Sequence, residues 1–170
     1  MRHGNLTTEN ELTKVPHKIL EEAFRAGMTP SEKDRSATFY HIDQSTIYSK
    51  VNNLFKGKIE LMDTKAALNK YPWLKEYRWK LVEREKDEFT KRVAEDFSGG
   101  YFMRILPNAE VMFPLQSCLM ITEQNLEQRI HNIIMAEEGS KAHIISSCVQ
   151  HSAVEKSSHI GISEFYIKKN

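Results

Sequence analysis

The chain has 170 residues, of which 40% are hydrophobic and 28% are charged, a composition typical of a globular protein rather than a disordered or membrane-spanning one. Its 24 basic and 23 acidic side chains nearly cancel, so no positive field favours nucleic acid or an anionic membrane as a partner. The first residues lack the apolar run of a signal peptide, and two cysteines are too few for a disulfide framework. A cytoplasmic protein with free thiols is therefore predicted.

Residues 1–99 are predicted to form a mainly helical domain. Apolar residues recur at three- and four-residue steps over 12–24, which indicates an amphipathic helix that Gly27 ends. Residues 38–43 predict a short strand, after which Asp43 or Ser45 is placed to cap a brief helix that runs to about residue 54. Asp63 is placed to cap a short helix that runs to about residue 70. A second apolar stripe over 72–95 starts at a proline and predicts one long helix.

Residues 100–170 carry few charges and change to a period of two, which predicts successive strands. The predicted strands are 101–106, 110–113, 117–121, 129–135, 142–148 and 159–168. His131 and His143 begin two similar segments twelve residues apart, a repeat that favours strands stacked as a solenoid with these histidines on one face. The pattern alone leaves a β-helix and an antiparallel sheet equally open. The fold class is α+β in either case.

Cys148, His151 and His159 have the residue types of a metal site, a thiolate and two imidazoles. A structural zinc site normally takes four ligands in close pairs, and Cys118 lies thirty residues upstream without a neighbour at CxxC spacing. The alternative is a buried cysteine beside surface histidines. The adjacent Glu137 and Glu138 are explained by a turn in solvent.

Motifs of nucleotide-binding and hydrolytic enzymes, such as a Gly-rich phosphate loop, GxSxG or HExxH, do not occur in the sequence. The prediction is therefore a protein that is not an enzyme.

Several segments, in order, resemble the SufB/SufD family of iron–sulfur cluster assembly scaffolds. PLQSCL at 114–119 is similar to the family's P-x-Q-x-x-L strand, and HNIIMAEEGSKAHII at 131–145 to its HNIIxxEEGSxAHII run. HIGISEFY at 159–166 is similar to the segment that follows in the archaeal-type short branch. AGM at 26–28 and YPWLKEY at 71–77 are similar to that branch's N-terminal region. The resemblance covers about residues 12–169 and corresponds to the N-terminal portion of the family.

The resemblance implies a scaffold on which iron and sulfide are assembled into a transient cluster, with no cofactor stably bound in this chain. It implies a right-handed parallel β-helix, of which residues 100–170 would form the first turns after the helical domain. The implied partners are a Suf-type ABC ATPase subunit and a SufB or SufD companion. Cys148 lies where scaffold members carry a cysteine thought to accept persulfide sulfur, and a nearby His151 would favour its thiolate.

Family members continue beyond Asn170, through the ATPase docking segment, so the chain is expected to be a truncated fragment with partial or no activity alone. An open β-helix end would favour aggregation or end-to-end self-association. Two alternatives remain: a β-solenoid protein-interaction module, and a small metal or redox protein that uses Cys148, His151 and His159. The sequence does not distinguish a SufB-like from a SufD-like role.

Overall fold

The computed structural model describes residues 15–29 and 31–169. The helices in these ranges are α1 (His17–Arg25), α2 (Thr64–Lys70) and α3 (Glu88–Glu95), with short 3₁₀ turns at Glu32–Asp34, Asn53–Phe55 and Pro72–Glu76. The strands are β1 (Ala37–Ile42), β2 (Ser45–Val51), β3 (Ile59–Asp63), β4 (Tyr101–Ile105), β5 (Leu115–Ile121), β6 (Glu127–Ala136), β7 (Ile144–Gln150) and β8 (Ser158–Ile167).

The strands form two mixed sheets of four strands each. The first sheet has the order β2-β1-β5-β7 and the second the order β3-β4-β6-β8. Pairs β1–β2 and β3–β4 are antiparallel, whereas β1–β5, β5–β7, β4–β6 and β6–β8 are parallel. From β4 onward the chain alternates between the sheets, so residues distant in sequence meet across them.

The expected fold class, an α+β chain with a helical region and a right-handed parallel β-helix, is wrong. The structure is an α/β fold of two mixed sheets with helices against them. The strand predicted at 38–43 is present as β1, whose ATFYHI is buried along its whole length inside the sheet. The brief helix predicted to follow it is strand β2 instead, so residues 37–63 of the region expected to be mainly helical supply three strands. The two antiparallel pairs make each sheet mixed. Both sheets take strands from either side of residues 99 and 100, and the domain division there stays a prediction.

Alternating side chains build the layers. Phe39, Met103, Leu119 and Ile130 point between the sheets into the central core. Their strand neighbours point outward: Tyr40, Cys118 and Met120 pack under α1. Phe102 and Ile133 pack under α2 and the 3₁₀ turn after Pro72. The molecule is therefore layered as helix, sheet, sheet, helix.

The helices predicted over 12–24 and after Asp63 are confirmed, whereas the brief helix predicted up to about residue 54 and the long helix are wrong. Helix α1 lies inside the predicted range and Gly27 follows it with φ of +93°, while residues 12–14 of the prediction lie outside the described residues. The Asp63 carboxylate caps α2 by accepting from the backbone N–H groups of Lys65 and Ala66. The long helix predicted over 72–95 is interrupted: it consists of the 3₁₀ turn Pro72–Glu76 and helix α3, and Trp79 between them has φ of +66°, which no right-handed helix contains.

Two further expectations about polar residues are wrong. His131 lies in β6 of the second sheet, whereas His143 precedes β7 of the first sheet, so the two do not stack. Glu138 lies exposed in the turn as expected, but Glu137 is buried. Its carboxylate pairs with Arg104 Nε at 2.7 Å and Lys168 Nζ at 2.5 Å, and these ion pairs lower its pKa although burial acts to raise it.

The helices within residues 15–29 and 31–169 are all too short or too polar to cross a membrane.

Candidate functional site

Cys148 lies near the end of β7, on the face of the first sheet that turns toward the second sheet. Its register partner is Leu119 of β5, a residue of the central core, and neighbouring residues in register point to the same side of a sheet. The cysteine itself is exposed. It opens into a cleft of about 150 Å³ lined by Leu119, Ile121, Cys148, Val149, Gln150 and His159. A small solute therefore has access to the thiol.

An imidazole from the second sheet faces this thiol. The Nε2 atom of His159 in β8 lies 3.5 Å from Cys148 Sγ. On the other side of the ring, His159 Nδ1 lies 2.8 Å from Gln128 Oε1, and Gln128 is the register partner of His159 in β6. Gln128 is fully buried. The three side chains form a line from the protein interior to the cleft.

The partners of Gln128 determine where the protons of this line reside. Its amide nitrogen donates to the backbone carbonyls of Asp43 at 2.9 Å and Met120 at 3.1 Å. The amide oxygen is left facing His159, and an amide oxygen only accepts. His159 Nδ1 therefore carries the ring proton of the neutral imidazole, which leaves Nε2 to accept from the Cys148 thiol.

Burial affects both titrating groups in the direction that keeps them neutral. It raises the pKa of the Cys148 thiol and lowers the pKa of His159 below its ordinary value. At neutral pH the resting pair is thus a thiol hydrogen-bonded to an imidazole rather than a thiolate beside an imidazolium. The histidine expected to favour the Cys148 thiolate was His151, whereas the histidine that faces the thiol is His159.

His151 is engaged elsewhere. Its Nδ1 accepts from the backbone N–H of Ala153 at 3.1 Å, and its own backbone N–H donates to the Ile121 carbonyl. Across the described ranges, no group of three or more His, Cys, Asp or Glu side chains is arranged to hold a metal ion. Of the three residues proposed as metal ligands, the structure brings together Cys148 and His159.

Two residues of the site were not identified from the sequence. Gln128 orients the imidazole, and Gly161 leaves room for it, since a Cβ at this position would lie 2.8 Å from His159 Nε2. The signal for Gln128 is its offset of 31 residues from His159, the same offset as every other pair of β6 and β8. That offset has meaning only once the pairing of the strands is known.

A second imidazole, His131 in β6, lies in a closed environment. Its Nε2 lies 2.8 Å from the Glu164 carboxylate of β8, and both side chains are fully buried. The Trp79 ring packs on the imidazole with the ring centroids 4.5 Å apart. Glu164 also accepts from the backbone N–H groups of Trp79 and Leu81, both at 2.7 Å, and from the Tyr166 hydroxyl.

The charge of this second pair resides on the carboxylate. Burial acts to raise the pKa of Glu164, but the His131 hydrogen bond and the two backbone donors outweigh it and lower the pKa to about 2. Burial lowers the pKa of His131, against the pull of the carboxylate. A neutral imidazole that donates to a carboxylate anchors the segment after Pro72 on the second sheet.

Comparison with known proteins identifies relatives over nearly the whole chain. Iron-sulfur cluster assembly SufBD family proteins from two strains of Methanothermobacter thermautotrophicus are 42% and 41% identical, over 92% and 98% of this chain. One from Archaeoglobus fulgidus is 38% identical over 99% of this chain. The aligned regions are 38%, 40% and 42% of the three relatives, so the chain spans about two fifths of their length.

A scan against protein-family models gives no match. The pairwise similarities nevertheless confirm the resemblance seen in the sequence motifs. The chain is thus similar to iron–sulfur cluster assembly SufBD family proteins, mostly archaeal, over a region of about two fifths of their length.

Proposed function

We propose that this chain takes part in iron–sulfur cluster assembly as part of a scaffold, with Cys148 as the side chain that takes up sulfur as a persulfide. The relatives are named for iron–sulfur cluster assembly, which supports the process. The observation that carries the role of Cys148 is its sulfur atom, open to a cleft and 3.5 Å from an imidazole nitrogen that can accept its proton.

The proposed step is a sulfane transfer without net oxidation or reduction. The Cys148 sulfur attacks the terminal sulfur of a donor persulfide, so one S–S bond forms as the donor's S–S bond breaks. The Cys148 proton passes to His159 Nε2, and the donor leaves as a thiolate that takes up a proton. The products are a Cys148 persulfide and the donor thiol. The chain carries sulfur and is not proposed to be an enzyme.

The cluster in this proposal is cargo rather than a resident cofactor. Cys148 supplies a sulfur that can carry sulfane sulfur for the cluster, and with His159 it gives two donor atoms rather than the four of a closed structural metal site. The proposed partners of the complete protein are a Suf-type ABC ATPase subunit and a SufB or SufD companion chain. A cytoplasmic location stays a prediction.

Sulfur loading of two single-cysteine variants tests the proposal, because the sequence has no cysteines other than Cys118 and Cys148. The 170-residue chain carrying Cys118→Ala or Cys148→Ala is incubated with glutathione persulfide, and its intact mass is measured. Cys118→Ala is expected to gain one sulfur atom and Cys148→Ala none, since Cys118 is fully buried. Sulfur uptake by Cys148→Ala equal to that by Cys118→Ala would overturn the assignment.

A further inference from the structure

We infer that His159 is the base that removes the Cys148 proton during sulfur uptake, and that Gln128 and Gly161 are positioning residues for its ring. The inference rests on the proposed function for the identity of the sulfur donor. The proton transfer is independent of the proposed function, because reaction of Cys148 with any electrophile requires the same proton to leave.

Gln128 fixes the imidazole tautomer through an amide that cannot turn over. A flipped amide would place its oxygen against the carbonyls of Asp43 and Met120 and its N–H₂ group against His159 Nδ1. Two acceptor–acceptor contacts in a fully buried position would leave both carbonyls and the amide oxygen without donors. The observed orientation therefore holds the proton on Nδ1 and directs the Nε2 lone pair at Cys148.

Gly161 sets the position of the ring. It pairs in register with Ile130 of β6, two residues along β8 from His159, so both side-chain positions lie on the same face of the second sheet. A methyl group at residue 161 would lie 2.8 Å from His159 Nε2, closer than a nonbonded contact allows. The imidazole can stay against Cys148 only because residue 161 has no side chain.

The other titratable groups near the pair are uncharged or already bound. His41 of β1 is buried with its pKa lowered to about 4, and Cys118 of β5 is buried with its pKa raised to about 12, so both are neutral at neutral pH. Glu127, the residue before Gln128, is bound by Arg92 and Arg129. Of these groups, His159 is the one whose ring nitrogen faces the Cys148 thiol.

The test is the rate of Cys148 alkylation by iodoacetamide as a function of pH, in a Cys118→Ala parent chain. His159→Ala is expected to lower the rate at neutral pH on the order of tenfold, at the small end of general-base effects. Added imidazole is expected to restore part of the rate. Gly161→Ala is expected to lower the rate as well, because the added methyl group displaces the His159 ring. Added imidazole should not restore this rate, because the displaced His159 ring still occupies the space that free imidazole would need.

His151→Ala is the matched control, since it removes a nearby imidazole that does not contact Cys148, and it is expected to leave the rate unchanged. The ring nitrogen resonances of His159 give a readout that needs no variant at the site, and the proton is expected on Nδ1. Alkylation of His159→Ala at the parent rate across the pH range, or a proton found on Nε2, would overturn the inference.

Alkylation uses no sulfur donor, so its result is independent of the proposed function. A normal His159 dependence without sulfur loading would reject the sulfur-acceptor role and keep the base. Sulfur loading of Cys148 together with an alkylation rate that does not depend on His159 would keep the sulfur-acceptor role and reject His159 as the base.

Discussion

The two strands β6 and β8 carry two histidine sites that differ in what holds the imidazole and in what can reach it. His131 donates to the Glu164 carboxylate in a closed packing of Trp79 and the segment after Pro72. His159 donates to the Gln128 amide and faces a thiol at an open cleft. One imidazole is therefore a structural donor with its charge partner sealed in, whereas the other is a neutral acceptor available for chemistry.

The comparison shows that a histidine's acceptor indicates its role. A carboxylate stabilises a donating imidazole and gives a buried charge its partner, so removing either member leaves an unpaired polar group. A neutral amide fixes the tautomer without adding a charge and leaves the second ring nitrogen basic. Substitutions at the His131 site should accordingly change folding stability, whereas substitutions at the His159 site should change the reactivity of the Cys148 thiol.

The largest predicted difference is in folding stability. Glu164→Ala should lower the free energy of unfolding by about 3–5 kcal/mol, because it leaves His131 and two backbone N–H groups without their acceptor. His159→Ala should cost less, about 1–3 kcal/mol, because it leaves only the buried Gln128 amide oxygen without its donor. Urea unfolding of both variants measures the difference, and equal costs would contradict the division into a structural and a reactive site.

Acid should weaken the closed site in a defined window. The pKa of Glu164 is about 2 in the folded chain against an ordinary 4.5, so its stabilisation is complete above about pH 4.5 and is lost as the pH falls through about 2. The loss should be on the order of 3 kcal/mol. Unfolding free energies of the wild-type chain and Glu164→Gln, measured from neutral pH downward, should converge in that window; a constant gap would show that Glu164 is not the group that titrates.

The close approach of the chain to His131 gives a third prediction. Gly100 has φ of +134°, and a Cβ there would lie 2.5 Å from the His131 carbonyl oxygen, a backbone atom that cannot move aside. Gly57 also has positive φ, but nothing lies within 4 Å of a Cβ built there. Gly100→Ala should therefore lower the unfolding free energy by about 1–3 kcal/mol more than Gly57→Ala. Equal losses would mean that the backbone conformation alone sets the cost.

The last prediction involves no change in stability and concerns the reactivity of the two cysteines, which lie in adjacent strands. Cys148 should react with a thiol reagent in the native chain, whereas Cys118, fully buried under α1, should react only when the chain opens. Counting reactive thiols in the native chain and in urea checks this. Two fast-reacting thiols without denaturant would show that the first sheet is not packed as described.

Local sequence rules predicted much of this structure, whereas the rest depends on tertiary contacts that the sequence patterns do not reveal. The α1 helix, the Asp63 cap of α2 and most strands after Gly100 follow from periodicity and capping. The long helix failed because Glu164, some 85 residues away, accepts the backbone N–H groups of Trp79 and Leu81 and fixes a non-helical segment. The prediction of a β-helix was wrong because β1–β2 and β3–β4 pair antiparallel, and the sequence of a single strand does not indicate the direction of its partner.

Some residues of the candidate site could likewise be predicted from the sequence, and others could not. Cys148 and His159 could be selected by residue type, since a thiol and an imidazole are the groups that thiol and metal chemistry uses. His151 was selected on the same grounds, but it lies in a turn where its ring accepts from Ala153. Gln128 has no chemical signature, and its role follows only from the pairing of β6 with β8.

The most direct test of the central claim is the rate at which Cys148 gains a sulfur atom from glutathione persulfide, followed by intact mass in Cys118→Ala chains with and without His159→Ala. The account predicts one added sulfur, mapped to Cys148, that appears on the order of tenfold more slowly without the imidazole. Sulfur that is found on another residue, or that appears on Cys148 at the same rate in both chains, would contradict it.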